Sequence, residues 1–178
     1  DLRSTEASIK YLLMGAFATG FLLFGVAMIY GSTGSFDLYQ IQEFGTKAQG
    51  NLMFKLGAIM MLVALAFKVS LAPFHMWSPD VYQGTPSLIS VFMMTVVKIS
   101  AFFGFFRLMT IAFGGIVPEW IQIIGVLVII TLLLANAMGL AQSNAKRMLA
   151  YSSVSHAGYI ALIFFGTTNS SVYNLAFY

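Results

Sequence analysis

The sequence predicts an all-α integral membrane protein, a polytopic helix bundle in which one transmembrane helix is broken by proline. Three observations carry this. Of the 178 residues, 59% are hydrophobic and 8% charged, against about a quarter charged in a soluble domain. Mean hydropathy is +0.86, and the apolar residues fall in long blocks without period-two alternation, which argues against a strand-built barrel. Two lysines, Lys68 and Lys98, each lie near the middle of such a block. They stand on either side of the segment Ser70-Leu71-Ala72-Pro73-Phe74-His75-Met76-Trp77-Ser78-Pro79-Asp80.

A spanning helix needs about 20 mostly apolar residues. Five segments qualify, at 8–30, 56–82 (broken at 73–79), 86–109, 118–141 and 148–166. The first ends at the turn-rich run Gly31-Ser32-Thr33-Gly34-Ser35. A polar loop with Asp37, Glu43, Lys47 and Lys55 follows. In the second, Pro73 and Pro79 each lack an N–H and clash with the carbonyl four residues back, those of Val69 and His75. The third follows Gly84-Thr85-Pro86-Ser87, where Thr85 can cap and Pro86 suits a first turn. The fourth opens at Pro118-Glu119-Trp120, a proline and an acid that fit a helix start. The fifth ends near Gly166, and residues 174–178 read as the opening of another helix. The chain is therefore expected to be a single membrane domain, an internal piece of a larger protein.

Alternating spans put Arg3, Lys10, Lys146 and Arg147 on one side and Lys47, Lys55 and Arg107 on the other. The richer side is expected to face the cytoplasm. The net charge of +3 comes from scattered residues, with no basic run suited to nucleic acid. The absence of cysteine excludes disulfides and thiolate metal sites. The two histidines, His75 and His156, are far apart and make a poor metal pair. No acidic metal-binding pair or serine-nucleophile motif supports a membrane hydrolase or transferase.

The candidate site residues are cations and hydroxyls at membrane depth. An ammonium in hydrocarbon costs roughly 2.5–3.5 kcal/mol even on an insertion scale, so Lys68 and Lys98 point to function. Burial and a nearby carboxylate act on an ammonium in opposite directions, and a lysine set between them can exchange a proton near neutral pH. Snorkelling or a static salt bridge is the structural alternative. From the middle of a span, snorkelling is a long reach for one side chain, and the sequence offers neither lysine an obvious acid. The broken backbone beside Lys68, His75 and Trp77 is either a simple kink or a hydrated cavity, since free carbonyls at that depth need protein or water. In the last span Ser152, Ser155, His156 and Tyr159, with Tyr151 alongside, fall at helical spacing. They form either a proton-conducting chain or interhelical hydrogen bonds. Glu6 and Lys10 are one turn apart in the favourable order for an ion pair, and Asn136 reads as helix glue.

These residues carry a family resemblance. Lys68-Val69-Ser70-Leu71-Ala72-Pro73-Phe74-His75-Met76-Trp77-Ser78-Pro79-Asp80-Val81-Tyr82-Gln83-Gly84 resembles the seventh-helix signature of the subunit N family of respiratory complex I, the proton-translocating NADH–quinone oxidoreductase. Glu6-Ala7-Ser8-Ile9-Lys10-Tyr11 and Lys146-Arg147-Met148-Leu149-Ala150-Tyr151-Ser152-Ser153 match as well. The resemblance covers essentially the whole chain. It implies the antiporter-like complex I subunit fold, about fourteen helices in two inverted repeats, of which this chain would hold the sixth to tenth. It implies proton-transfer roles for Lys68, Lys98, Lys10, His75, Tyr151 and His156. It places the acidic partner of Lys68 on a preceding helix and a further lysine beyond Tyr178, and Glu6 does not replace that acid.

The function implied is a membrane-arm subunit that moves protons through lysine-lined half-channels, driven by quinone reduction elsewhere. Such a subunit is the non-redox part of a translocating enzyme. It binds no cofactor itself, neither NADH nor flavin. Its partners are other membrane-arm subunits, including neighbouring antiporter-like ones, and the lipid bilayer. Its place is a bacterial inner membrane, with an organelle energy-transducing membrane as the alternative. The rival readings are a standalone cation/proton antiporter subunit and a structural membrane scaffold.

Overall fold

The computed structural model describes residues 2–47 and 51–166, and its regular elements are all helical. They are α1 (Leu2–Thr33), α2 (Leu38–Lys47), α3 (Leu52–Lys68), α4 (Trp77–Gly84), α5 (Ser87–Phe92), α6 (Lys98–Arg107), α7 (Val117–Leu140) and α8 (Ala145–Ala161). A π-helical turn at Met93–Val97 joins α5 to α6, and a second at Leu108–Ala112 extends α6, so Ser87–Ala112 is one rod. Among the described residues, four unbroken stretches are long and apolar enough to cross a membrane: Leu2–Thr33, Ser87–Ala112, Gly114–Leu140 and Ala145–Phe165. The segment expected to open another helix at 174–178 lies outside the described residues.

The pair α3 and α4 runs from one end of the bundle to the other in two pieces. At the start of α3, Lys55 Nζ pairs with Glu119 Oε1 at the start of α7, 2.8 Å away. At the end of α4, Gly84 abuts the first turns of α1, where a Cβ would sit 2.6 Å from that of Ala7 and 2.9 Å from the Arg3 carbonyl. Arg3, Lys10, Lys146 and Arg147 therefore gather at one end, while Lys55 and Glu119 lie at the other.

The helix starts follow from side chains that take up free N–H groups. Asn51 accepts from the Phe54 amide at 3.0 Å, and Asn144 accepts from those of Lys146 and Arg147 at 3.0 and 3.3 Å. Pro118 sits in the first turn of α7, where its missing N–H costs nothing. Thr85 caps nothing ahead of it. Its hydroxyl donates back to the Val81 carbonyl at 2.9 Å and so closes α4, while α5 starts after Pro86 without a side-chain cap.

The polar stretch read as a loop contains α2. Asp37 caps it, accepting from the amides of Tyr39 and Gln40 at 2.8 and 3.1 Å. Ile41 and Gly45 face inward. Glu43 and Lys47 pair at 2.5 Å on the outer face, and that ammonium holds the Glu43 carboxyl below its usual range. Gly115 admits this helix: a Cβ there would lie 2.6 Å from the Thr46 amide nitrogen and 3.0 Å from the Gln42 carbonyl. So short an amphipathic helix carries no long apolar run to mark it in the sequence.

The main core gathers Phe54, Leu62, Phe102, Phe105, Phe113 and Ile124, all essentially inaccessible. A smaller cluster of Trp77, Val81, Tyr82 and Ala150 lies beside the broken segment. Helices α1 and α3 touch backbone to backbone at Gly25 and Gly57. A Cβ on Gly25 would meet the Gly57 carbonyl at 2.9 Å and Met61 Cγ at 2.7 Å, the small-residue contact typical of membrane helices.

Candidate functional site

The helix break begins earlier than proline chemistry alone suggests. Ser70 takes a left-handed conformation with φ of 64°. The Leu71 amide donates to the Ala66 carbonyl at 2.9 Å and the Ser70 amide to that of Phe67 at 3.1 Å. These two bonds form a Schellman cap that ends α3 at Lys68. The Ala72–Pro73 peptide is cis. Pro79, expected to break the chain a second time, instead lies in the first turn of α4. The His75 carbonyl it was expected to strand accepts from the Ser78 amide at 3.0 Å and from the Ser78 hydroxyl at 3.1 Å. The interruption thus covers 69–76 and not 73–79.

Two side chains hold this irregular segment. Trp77 Nε1 donates to the Phe67 carbonyl at 3.0 Å, and its ring packs on Tyr11, Phe67 and Tyr82 at centroid distances of 5.2, 5.6 and 5.6 Å. From α7, Thr131 Oγ1 accepts the Ala72 amide at 2.8 Å while donating to the Leu127 carbonyl at 2.5 Å.

Lys68 closes α3 and is exposed among the described residues. It lines a groove of about 1190 Å³ between α1, α3, α4 and α5. Its Nζ donates to Tyr11 Oη at 3.3 Å and stands 5.9 Å from the centre of that ring. Within the described residues Lys98 is enclosed and Lys68 is not. Lys98 is 4% exposed, and its Nζ donates to both the carbonyl and the hydroxyl of Ser153 at 2.8 Å. The π-turn at Met93–Val97 directly precedes it. The extra residue in such a turn shifts every later side chain around the axis.

The hydroxyl and imidazole stripe of the last span divides in two. Tyr151 is buried and its ring centre lies 6.5 Å from that of His75. His75 is 7% exposed, and its Nδ1 has no hydrogen-bond partner. Ser155 turns inward and donates to Asn136 Oδ1 at 3.0 Å, the interhelical role expected of Asn136. Ser152, His156 and Tyr159 remain on the outer face of α8, with the His156 and Tyr159 ring centres 6.5 Å apart.

Lys10 joins a charged cluster that spacing alone did not disclose. Its Nζ lies 2.7 Å from Glu6 Oε1 and 3.4 Å from Asp80 Oδ2. Arg147 reaches the other Asp80 oxygen at 3.1 Å and Gln83 Oε1 at 3.2 Å, and Lys146 Nζ donates to the Thr85 carbonyl at 3.4 Å. The cluster borders a pocket of about 290 Å³. It ties α1, α4 and α8 together at their shared end. Asp80 is the residue sequence reading missed. Its signal was the Asp-Val-Tyr-Gln-Gly run, but nothing local tells which cations meet it.

Ammonium groups held by hydroxyls and carbonyls, beside a gap in the backbone, are suited to binding and releasing protons. Among the described residues no three histidine, cysteine or acidic side chains come together as a metal site would require.

Comparison with known proteins agrees with this geometry. The family model described as NADH:quinone oxidoreductase/Mrp antiporter, transmembrane, matches residues 1–178. The NADH-quinone oxidoreductase subunit N of Trichlorobacter lovleyi is 41% identical over the whole chain, which spans 37% of that protein. The Gemmatimonas aurantiaca protein of the same name is 46% identical over 89% of the chain and 31% of its own length. The chain thus spans about a third of the curated relatives it matches. Among solved structures, respiratory complex I from Thermus thermophilus matches at 40% identity and a TM-score of 0.74, covering 93% of this chain and 35% of its own. The Mrp complex from Dietzia sp. shares the fold at 24% identity and a TM-score of 0.84, covering 92% and 30%. A helix that ends at Lys68, a second lysine buried on Ser153, and a family match that runs from end to end place this chain in the NADH:quinone oxidoreductase/Mrp antiporter family of membrane proteins.

Proposed function

We propose that the chain carries part of the proton path of a subunit N-type membrane-arm protein of NADH–quinone oxidoreductase. The observation that supports this most is Lys98, an ammonium almost removed from solvent whose partners are the two oxygens of Ser153. A purely structural cation at that depth is costly, and a fixed carboxylate would hold it more firmly than a hydroxyl and a carbonyl do. Lys68 stands at the other functional position, at the mouth of the break and along an open groove. There its ammonium can meet an acid supplied by a neighbouring helix.

In this reading, charge changes along the membrane arm alter the partner available to Lys68. The proton it releases passes by way of the break, with His75 and Tyr151 beside it, toward Lys98 and on to the outer face of α8 at His156. Lys10, fixed by Glu6 and Asp80, marks the end of the bundle where protons enter. The work scale is about 2.3 kcal/mol per charge per 100 mV. Redox chemistry, NADH, flavin and quinone belong to other subunits, and the neighbours of this chain are further membrane-arm subunits in a bacterial inner membrane.

The test uses the full-length subunit in the assembled complex, in sealed membrane vesicles oxidising NADH. Lys68→Ala and Lys98→Ala should lower protons translocated per electron by at least half while the complex still assembles. Normal pumping in both assembled variants overturns the assignment. Sodium-dependent transport that persists without the redox partners would point to a standalone antiporter.

A further inference from the structure

We infer that Thr131 of α7 is a positioning residue for proton transfer, because its hydroxyl is the hydrogen-bond partner of the Ala72 amide inside the helix break. The inference rests on the translocation reading above and adds to it a residue outside both the lysine set and the broken segment.

Residues 69–76 have left the helical ladder, so the N–H groups there need partners from elsewhere. Those of Val69, Ser70 and Leu71 are satisfied by the last turn of α3. Pro73 has none to offer. Ala72 is inaccessible to bulk solvent. Thr131, itself inaccessible, supplies the acceptor at 2.8 Å. A threonine in a membrane helix commonly bonds its own helix four residues back, and Thr131 does so to Leu127. That bond uses its proton and fixes its lone pairs toward Ala72. Valine has the same shape and can do neither.

This contact sits where it can matter. Ala72 lies four residues after Lys68 and three before His75, so the bond sets the path of the segment between two candidate proton carriers. On its other side the Thr131 methyl packs against α8, 3.3 Å from where a Cβ on Gly158 would stand. Helix α8 also carries Ser153, the partner of Lys98, and Tyr151, the neighbour of His75. One side chain therefore joins the break, through its hydroxyl, to α8, through its methyl, and α8 carries the Ser153 partner of Lys98.

The experiment is Thr131→Val, Thr131→Ser and Thr131→Ala in the full-length subunit of the assembled complex, with Lys68→Ala as the reference. Assembly, NADH–quinone electron transfer and protons translocated per electron are read in parallel. The expected result is that Thr131→Val assembles, keeps electron transfer within twofold, and loses at least half of its protons per electron. Thr131→Ser, which restores the hydroxyl, should recover the ratio. An unchanged ratio in the valine variant overturns the inference, as does a serine variant that fails to recover. If valine and alanine both prevent assembly and serine restores it, Thr131 is a folding residue and the inference is wrong. If Lys68→Ala itself pumps normally, the translocation reading falls first, whatever Thr131 does.

Discussion

Replacing Ser153 by alanine isolates how Lys98 is held. The substitution removes one of the two oxygens at 2.8 Å from Nζ and leaves the backbone carbonyl in place. A hydrogen bond to a charged group contributes about 1.5–3 kcal/mol. That is close to the roughly 2.5–3.5 kcal/mol that a lysine costs in the middle of a membrane helix. The two oxygens together therefore offset the burial of Lys98, and one alone does so barely. At about 1.4 kcal/mol per decade, losing the hydroxyl should slow any step that holds the Lys98 ammonium in place by roughly ten- to a hundredfold. The assay is the initial rate of acidification in inverted vesicles oxidising NADH, normalised to the amount of assembled complex. Ser153→Ala should fall at least fivefold and Ser153→Thr, which keeps the hydroxyl, should stay near the parent. An alanine variant that pumps within twofold of the parent would show that the ammonium does not depend on this pocket, and the role given to Lys98 would lose its physical basis.

Other consequences can be measured on the same material. Tyr11→Phe removes the acceptor 3.3 Å from Lys68; since this bond is long and the lysine is exposed among the described residues, the pumping rate should drop less than for Ser153→Ala, by about two- to fivefold at the roughly 0.5–1 kcal/mol of a weak bond. The Asp80–Arg147 pair lies at 3.1 Å with both side chains about a third exposed. A double-mutant cycle with Asp80→Asn and Arg147→Gln, followed by thermal melting of the solubilised complex, should give a coupling of about 0.5–1 kcal/mol, and a value near zero would mean the pair does not join α4 to α8. Gly25→Leu should cut the yield of assembled complex sharply. Its first side-chain atom already meets the Gly57 carbonyl at 2.9 Å, and overpacking costs about 1–3 kcal/mol.

Much of this fold is legible along the chain because membrane helices obey local rules. About 20 apolar residues, and a proline and an acid at 118–119, are statements about neighbours in sequence. The antiporter-like signature around Lys68 is equally local, and it carries the family resemblance by itself. The misread loop at α2 has the same origin in reverse. Its evidence was an Asp37 cap and one charged pair, faint beside an apolar run of twenty residues.

What the chain determined by itself was its helical, membrane-embedded class, its family, and the presence of Lys68 and Lys98 on either side of a proline-bearing break. Tertiary structure decided everything that depends on which helix faces which. It gave Lys98 its enclosure and its Ser153 partner, left Lys68 along a groove, and sent Ser155 inward and His156 outward from one stripe. It moved the start of the break to Val69 and satisfied Ala72 from α7. The physical reason is range. Hydropathy and caps act over a few residues, whereas Ala72 and Thr131 are 59 residues apart and Lys98 and Ser153 are 55 apart, and helix packing alone brings them within reach of a hydrogen bond.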